Sequence, residues 1–206
     1  MDSIIFDVDG TLWNSTEVVA KAWNNYLQKE EHMNITFTAD QLKALFGKPL
    51  AEIAALIFPE HPVDEQSRLI DGCCEAEHAL LHITGAPLYE DLEKALQILS
   101  AKYPLYIVSN SQCGYIELFL EKNGFGKYFR GHLCNGDTGL DKGSNIRQIA
   151  DQNGLKSPVY IGDTMGDFEA CRKAGVPFIL AEYGFGKVPE PDMRISKPMD
   201  LITLFC

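Results

Sequence analysis

An α/β fold built on a parallel sheet, with an all-helical segment inserted after its first strand, is what this sequence predicts. Three observations support it. In the second half of the chain, short apolar runs alternate with helical patterns that stop at glycine. Residues 15–85 carry helical patterns only. The chain opens on an apolar run that ends in two aspartates, two residues apart.

Ser3-Ile4-Ile5-Phe6 reads as a buried strand bounded by the following Asp7-Val8-Asp9-Gly10-Thr11-Leu12. Leu105 to Val108, Pro158 to Ile161 and Pro177 to Leu180 read as further strands, with Gly131 to Cys134 as a weaker fifth. Helices from Gly114 to Asn123, Gly143 to Asn153 and Gly166 to Ala174 each end before a glycine (Gly124, Gly154, Gly175), the usual left-handed cap. Strands alternating with such helices form right-handed βαβ units, so the sheet is predicted to be parallel, doubly wound and Rossmann-like. Residues 15–85 break the alternation. Asn14 with Glu17 and Thr38 with Gln41 are capping-box candidates. A helix from Asp40 to Phe46 should stop at Gly47, with Pro49 in the first turn of the next. A longer helix is expected over Asp64 to His82, its apolar side formed by Leu69, Ile70, Cys73, Ala76, Leu80 and Leu81. The expected organisation is a core of residues 1–14 and 86–206 and a helical domain of residues 15–85, hinged near Trp13–Ser15 and Gly85–Leu88.

The 206 residues, 46% hydrophobic and 23% charged, suit a globular chain with one small accessory domain. A net charge of -11 argues against a nucleic-acid binder, which needs basic surface to neutralise phosphates. No apolar stretch reaches the roughly 20 residues of a membrane span, and the N-terminus lacks a signal-peptide pattern, so a cytoplasmic location is expected. The six cysteines show no CxxC spacing and are expected to be thiols.

The chemistry is carried by residues that follow strands, because a doubly wound sheet binds ligands beyond the carboxyl ends of its strands. Asp7 and Asp9 follow the first run, and in extended geometry both project the same way. Two like charges about 4 Å apart repel by about 4 kcal/mol at an effective dielectric near 20, so a proton or cation is needed there. Ser109 and Asn110 follow the second run, Gly162-Asp163-Thr164-Met165-Gly166-Asp167 the fourth, and Lys142 lies near the start of the helix before it. Carboxylates, a hydroxyl and an ammonium in one cleft suit phosphoryl transfer: Mg²⁺ prefers carboxylate oxygens, and a free carboxylate can attack phosphorus. Lys142, Ser109 and the backbone N–H groups after Asp9 are placed to hold phosphate oxygens.

These motifs resemble, in order, those of the haloacid dehalogenase superfamily, in its phosphoglycolate phosphatase-like branch with a helical cap. The resemblance implies a Rossmann-like core and a magnesium-dependent phosphatase acting on a small phosphorylated metabolite. It implies Asp7 as nucleophile, Asp9 as general acid and base, and Asp7, Asp9 (through its carbonyl), Asp163 and Asp167 as the Mg²⁺ site. Gly10, Thr11, Ser109, Asn110 and Lys142 would bind phosphate. A carboxylate at position 9 favours phosphate esters over the superfamily's other chemistries. Two positions depart from the pattern: Asn14 stands where close relatives often carry Asp, and Gly143 where Pro is frequent. A phosphomutase of β-phosphoglucomutase type shares this plan, and a non-catalytic regulatory protein retaining the fold is a further alternative. In the inserted segment, Lys48 of Phe46-Gly47-Lys48-Pro49 is the candidate specificity contact. His78 and His82 read as an ordinary helix face, and Trp13 and Trp23 as hinge or cap packing. The Gly184-Phe185-Gly186 loop is expected to border the site. No oligomeric state is legible.

Overall fold

The computed structural model describes residues 1–206. Strand β1 (Ser3–Phe6) is followed by five helices, α1 (Thr16–Lys29), α2 (Ala39–Lys43), α3 (Leu50–Ile57), α4 (Val63–Thr84) and α5 (Leu92–Ser100). Then come β2 (Leu105–Ser109), α6 (Tyr115–Asn123), β3 (Phe129–Cys134), α7 (Asn135–Thr138) and α8 (Lys142–Gln152). The chain closes with β4 (Pro158–Gly162), α9 (Met165–Ala174), β5 (Phe178–Ala181), β6 (Met193–Ile195) and α10 (Asp200–Phe205). The strands form one sheet in the order β3-β2-β1-β4-β5-β6, and every neighbouring pair is parallel. The predicted doubly wound sheet is therefore present, and its winding reverses at β1, between β2 and β4.

β1 is buried along its whole length because both sheet faces are covered. Ile4 and Phe6 pack toward Trp13, Val19, Leu96 and Phe119, whereas Ile5 packs with Ile146, Ile149, Tyr160 and Cys171 on the other side. This is the period-two alternation of a strand. The five predicted strands occur with ends shifted by a residue or two. α5, α7, β6 and α10 are additional. α5 buries Leu92, Ala95, Leu96 and Leu99, a helical stripe legible in sequence. β6 spans only three residues, too few for a periodic signal.

Between Thr16 and Thr84 every regular element is helical. Thr38 and Gln41 form the expected capping box. Asn14 and Glu17 do not: Ser15 occupies the cap position, and its hydroxyl is committed to Asp9. Asn14 instead accepts hydrogen bonds from the Thr16 backbone N–H at 3.2 Å and hydroxyl at 2.6 Å, which is why an amide works there. α2 stops at Lys43, earlier than Phe46, and the chain turns through Gly47 at φ +87°. Pro49 precedes α3 at its cap, outside the first turn. α4 runs from Val63 to Thr84 and buries Leu69, Ile70, Cys73, Cys74, Glu77 and Leu81. Ala76 and Leu80 are only half-buried, and a glutamate takes the central place in the stripe. The segments entering and leaving this helical stretch run side by side: Trp13 pairs with Leu88, and the Asn14 N–H donates to the Pro87 carbonyl at 2.9 Å. No helix is long and apolar enough to cross a membrane.

Candidate active site

Three strand ends converge. Asp7 leaves β1 with its backbone N–H donating to Ile161 of β4 at 2.8 Å, Ser109 ends β2, and Asp163 follows β4. Carboxylate oxygens of Asp7, Asp163 and Asp167 lie within 4.8 Å of one another, and all three residues are buried. The Lys142 ammonium, itself buried, donates to Asp7 Oδ1 at 2.8 Å and Asp167 Oδ1 at 2.5 Å. Burial pushes the Asp7 and Asp163 carboxyls up, and repulsion from neighbouring carboxylates adds to it. Burial opposes the charge of Asp167 too, but Lys142 and the Thr164 hydrogen bonds outweigh it and hold that carboxyl low. One ammonium among three carboxylates leaves the cluster short of positive charge, and Asp163 Oδ1 is buried without a partner. A hard divalent cation fits this oxygen set.

Asp167 also closes the first turn of α9. Thr164 caps the helix, and Asp167 Oδ2 accepts from the Thr164 backbone N–H at 3.0 Å and its hydroxyl at 2.7 Å. Gly143 sits where α8 meets α9: a Cβ there would lie 3.0 Å from the Ala170 carbonyl, a tight contact that glycine avoids. Gly10 has φ +82°, and an added Cβ would fall 2.1 Å from Asp163 Oδ2. Gly10→Ala is therefore expected to lose about 1–2 kcal/mol from the left-handed backbone alone and more from displacing Asp163. Thermal melts against wild type check this, and an unchanged midpoint would show that the loop relaxes freely.

Asp9 is held apart from this cluster. Its Oδ1 accepts from Trp13 Nε1 at 3.0 Å, Ser15 Oγ at 2.5 Å and Tyr115 Oη at 2.8 Å. Burial raises its carboxyl to about 6 despite these hydrogen bonds, within reach of proton exchange near neutrality. Trp13 is thus both packing, edge-on to Tyr115 and Phe119, and an orienting donor. Asn110 donates to the Gly47 carbonyl at 2.7 Å, tying the 46–48 loop to the end of β2. Ser109 Oγ accepts from the Ser111 N–H at 3.2 Å, and Thr11 Oγ1 is buried without a partner. Lys48 reaches the rim of the cleft, where its ammonium bonds Glu52.

The sequence-predicted residues Asp7, Asp9, Ser109, Asn110, Lys142 and Lys48 all line one cavity of about 50 Å³. Seven further lining residues carry no local signal or read in the sequence as packing: Trp23, Leu50, Ile53, Glu77, Ser111, Gln112 and Tyr115. Glu77 accepts from Trp23 Nε1 at 2.6 Å and Gln112 Nε2 at 2.5 Å. Burial raises its carboxyl to about 8. Its folded pKa thus lies above the ordinary value of 4.5, so its contribution to stability is full below pH 4.5 and fades as pH rises through 8. Wild type should lose ground to Glu77→Gln between about pH 5 and about pH 8.5 in chemical denaturation. Parallel pH profiles would place the carboxyl in water. The 184–186 loop also proves specific: the Phe185 N–H donates to Asp163 Oδ2 at 2.6 Å, and Cβ atoms at Gly184 or Gly186 would meet Asp163 at 2.3 and 2.5 Å. His78 and His82 belong to no ligand cluster.

Comparison with known proteins shows the family and the fold. The chain is 28% identical over 220 residues to a pyrophosphatase PpaX of Listeria welshimeri, covering 98% of this chain and 95% of that one. It is 24% identical over 193 residues to a phosphoglycolate phosphatase of Rhodobacter capsulatus, covering 91% and 87%. A haloacid dehalogenase-like family hydrolase from Streptococcus pneumoniae superposes with a TM-score of 0.87 at 24% identity, over 100% of this chain and 99% of the other. CbbY from Rhodobacter sphaeroides, solved in complex with phosphate, has the same fold, with a TM-score of 0.80 at 18% identity over 98% and 96%. The family model for haloacid dehalogenase-like hydrolases matches residues 4–181, spanning every strand end that supplies the cleft, and the chain belongs to that family.

Proposed function

We propose that this hydrolase is a Mg²⁺-dependent phosphatase that cleaves a small phosphorylated metabolite through an aspartyl-phosphate on Asp7. The observation that carries the reading is the convergence of Asp7, Asp9, Ser109, Lys142, Asp163 and Asp167 from separate stretches of chain. A carboxylate oxygen of Asp7 attacks phosphorus, the bond to the leaving oxygen breaks, and that oxygen takes its proton from Asp9. Asp9, now ionised, takes a proton from water. The water oxygen attacks phosphorus, the Asp7 O–P bond breaks, and inorganic phosphate leaves. Lys142, Ser109 and Asn110 hold the phosphoryl oxygens in line, whereas the Gly10 and Thr11 N–H groups, expected from the sequence to share that task, donate to the Trp13 and Val8 carbonyls at 2.9 and 3.2 Å. Asp7, Asp163, Asp167 and the Asp9 carbonyl would hold the Mg²⁺, which when bound would supply positive charge to offset the carboxylates and the phosphoryl group.

Residues 15–85 act in this reading as a helical cap over residues 1–14 and 86–206, with the paired strands at Trp13 and Leu88 as hinges. Closure excludes water, and Lys48 meets the substrate at the rim. A phosphomutase needs a second phosphate clamp. Lys48, the cation the cap brings to the cleft, is engaged with Glu52, which favours hydrolysis. The relatives' names point to the same reaction class. Phosphate release from p-nitrophenyl phosphate should require Mg²⁺ and stop on chelation. Release that survives chelation, or none with Mg²⁺ present, would overturn the proposal.

A further inference from the structure

The ceiling of the cleft differs from its floor. Below, Lys142 and the strand-end loops gather the groups suited to a phosphoryl group. Above lie Trp23, Phe46, Leu50, Ile53 and Glu77 of the helical segment, and facing them are Ser111 and Gln112 of the loop after β2. The cation the cap brings, Lys48, lies at the rim beside Glu52, away from Glu77, and Lys142 lies below against Asp7 and Asp167. The acidic side chain in this ceiling is Glu77, 5% exposed and held from two sides by Trp23 and Gln112.

We infer, resting on the phosphatase reading above, that the leaving group is a short uncharged polyol whose hydroxyls are read by Glu77, Gln112 and Ser111, and that anionic leaving groups are disfavoured. A substrate carboxylate or second phosphate would be driven against Glu77, whose bonded neighbours Trp23 and Gln112 carry no charge, and burying an unpaired charge is costly. A hydroxyl both donates and accepts. It can take a proton donated by the Glu77 acid, pair with the Gln112 amide oxygen, and satisfy the Ser111 Oγ, which is buried with no partner. Glu77 retains a proton near neutrality because burial raises its carboxyl, so it offers a donor without adding charge to the cleft. The cavity of about 50 Å³ has room for a few water molecules at about 10–15 Å³ each, enough to seat the hydroxyls of a short polyol beside the phosphoryl group.

The test compares kcat/KM of the Mg²⁺-loaded full chain for glycerol 1-phosphate, 2-phosphoglycolate, pyrophosphate and p-nitrophenyl phosphate. Glycerol 1-phosphate should exceed both anionic-leaving-group substrates by about tenfold or more, since a mismatch at a polar site is strongly penalised. Glu77→Gln, which keeps a neutral donor, should preserve that order. Glu77→Leu should lower the ratio of glycerol 1-phosphate to phosphoglycolate by about tenfold, and Glu77→Lys should shift it toward phosphoglycolate. Phosphoglycolate or pyrophosphate equalling the polyol in wild type would overturn the inference, and needs no variant to fold. So would a ratio unmoved by Glu77→Leu. Failure to turn over p-nitrophenyl phosphate would instead remove the phosphatase reading beneath it.

Discussion

Asp7→Asn is expected to abolish turnover, lowering kcat by about a thousandfold or more, while the protein stays folded. The amide is nearly isosteric and keeps an oxygen for the Lys142 ammonium, which donates to Asp7 Oδ1 at 2.8 Å. It has no anionic oxygen to attack phosphorus, so the covalent route closes. Stability moves the other way. Asp7 is buried beside Asp167 and Asp9, which repel its charge, so a neutral residue relieves the cluster and the melting temperature holds or rises. Steady-state phosphate release and a thermal melt on the same preparation check both halves. A phosphoryl group trapped on the Asp7 peptide of wild type, seen by mass spectrometry and absent in the variant, identifies the nucleophile. Equal turnover by the two proteins would exclude an aspartyl-phosphate at this position.

Lys142→Met produces the largest loss of stability expected from a single substitution in the site. Its ammonium is the cation that bonds Asp7 and Asp167, at 2.8 and 2.5 Å, and its side chain is 3% exposed. Methionine fills the same volume but leaves three neighbouring carboxylates without a cation. Removing one partner of a buried ion pair costs about 3–5 kcal/mol. Proton uptake by Asp7 or Asp163 limits the loss, so the lower end applies. For a chain of this length that is a fall of roughly 6–12 °C in melting temperature. Millimolar Mg²⁺ should restore part of the loss, because a divalent cation supplies charge to the same oxygens. Activity should stay low, since on the proposed mechanism the phosphoryl oxygens lose their ammonium partner. A variant that melts with wild type, with or without Mg²⁺, would mean the three carboxylates do not share a field.

Much of the molecule is legible before folding, for identifiable reasons. β1, β2, β4 and β5 are apolar runs buried on both faces, so burial and sequence carry the same signal. Helix ends at Gly124 and Gly175 are legible because a left-handed cap selects glycine. Asp7, Asp9, Ser109, Asp163 and Asp167 are legible because they follow strands, and a doubly wound sheet brings such positions together whatever the helices do. The misreadings share another cause. Ser15 forgoes its cap because Asp9 offers it a stronger, charged acceptor. The short edge strand β6 exists through its pairing with β5, which local pattern does not encode.

Glu77 separates the two kinds of knowledge most clearly. In the chain it is one acid on an amphipathic helix, where solvent exposure is the default. In the fold it points inward at i+4 from Cys73, with Trp23 and Gln112 arriving from positions 54 and 35 residues away to hold it. The local pattern of the chain determined the parallel sheet, the helical insertion and the acidic strand ends, because each rests on short-range periodicity or on residues beside a strand. Which groups face the substrate from above, how Lys142 divides itself between two carboxylates, and why Gly10, Gly184 and Gly186 carry no side chain were decided only by tertiary packing. Those answers depend on distances between residues far apart in the chain, which closure of the fold alone sets.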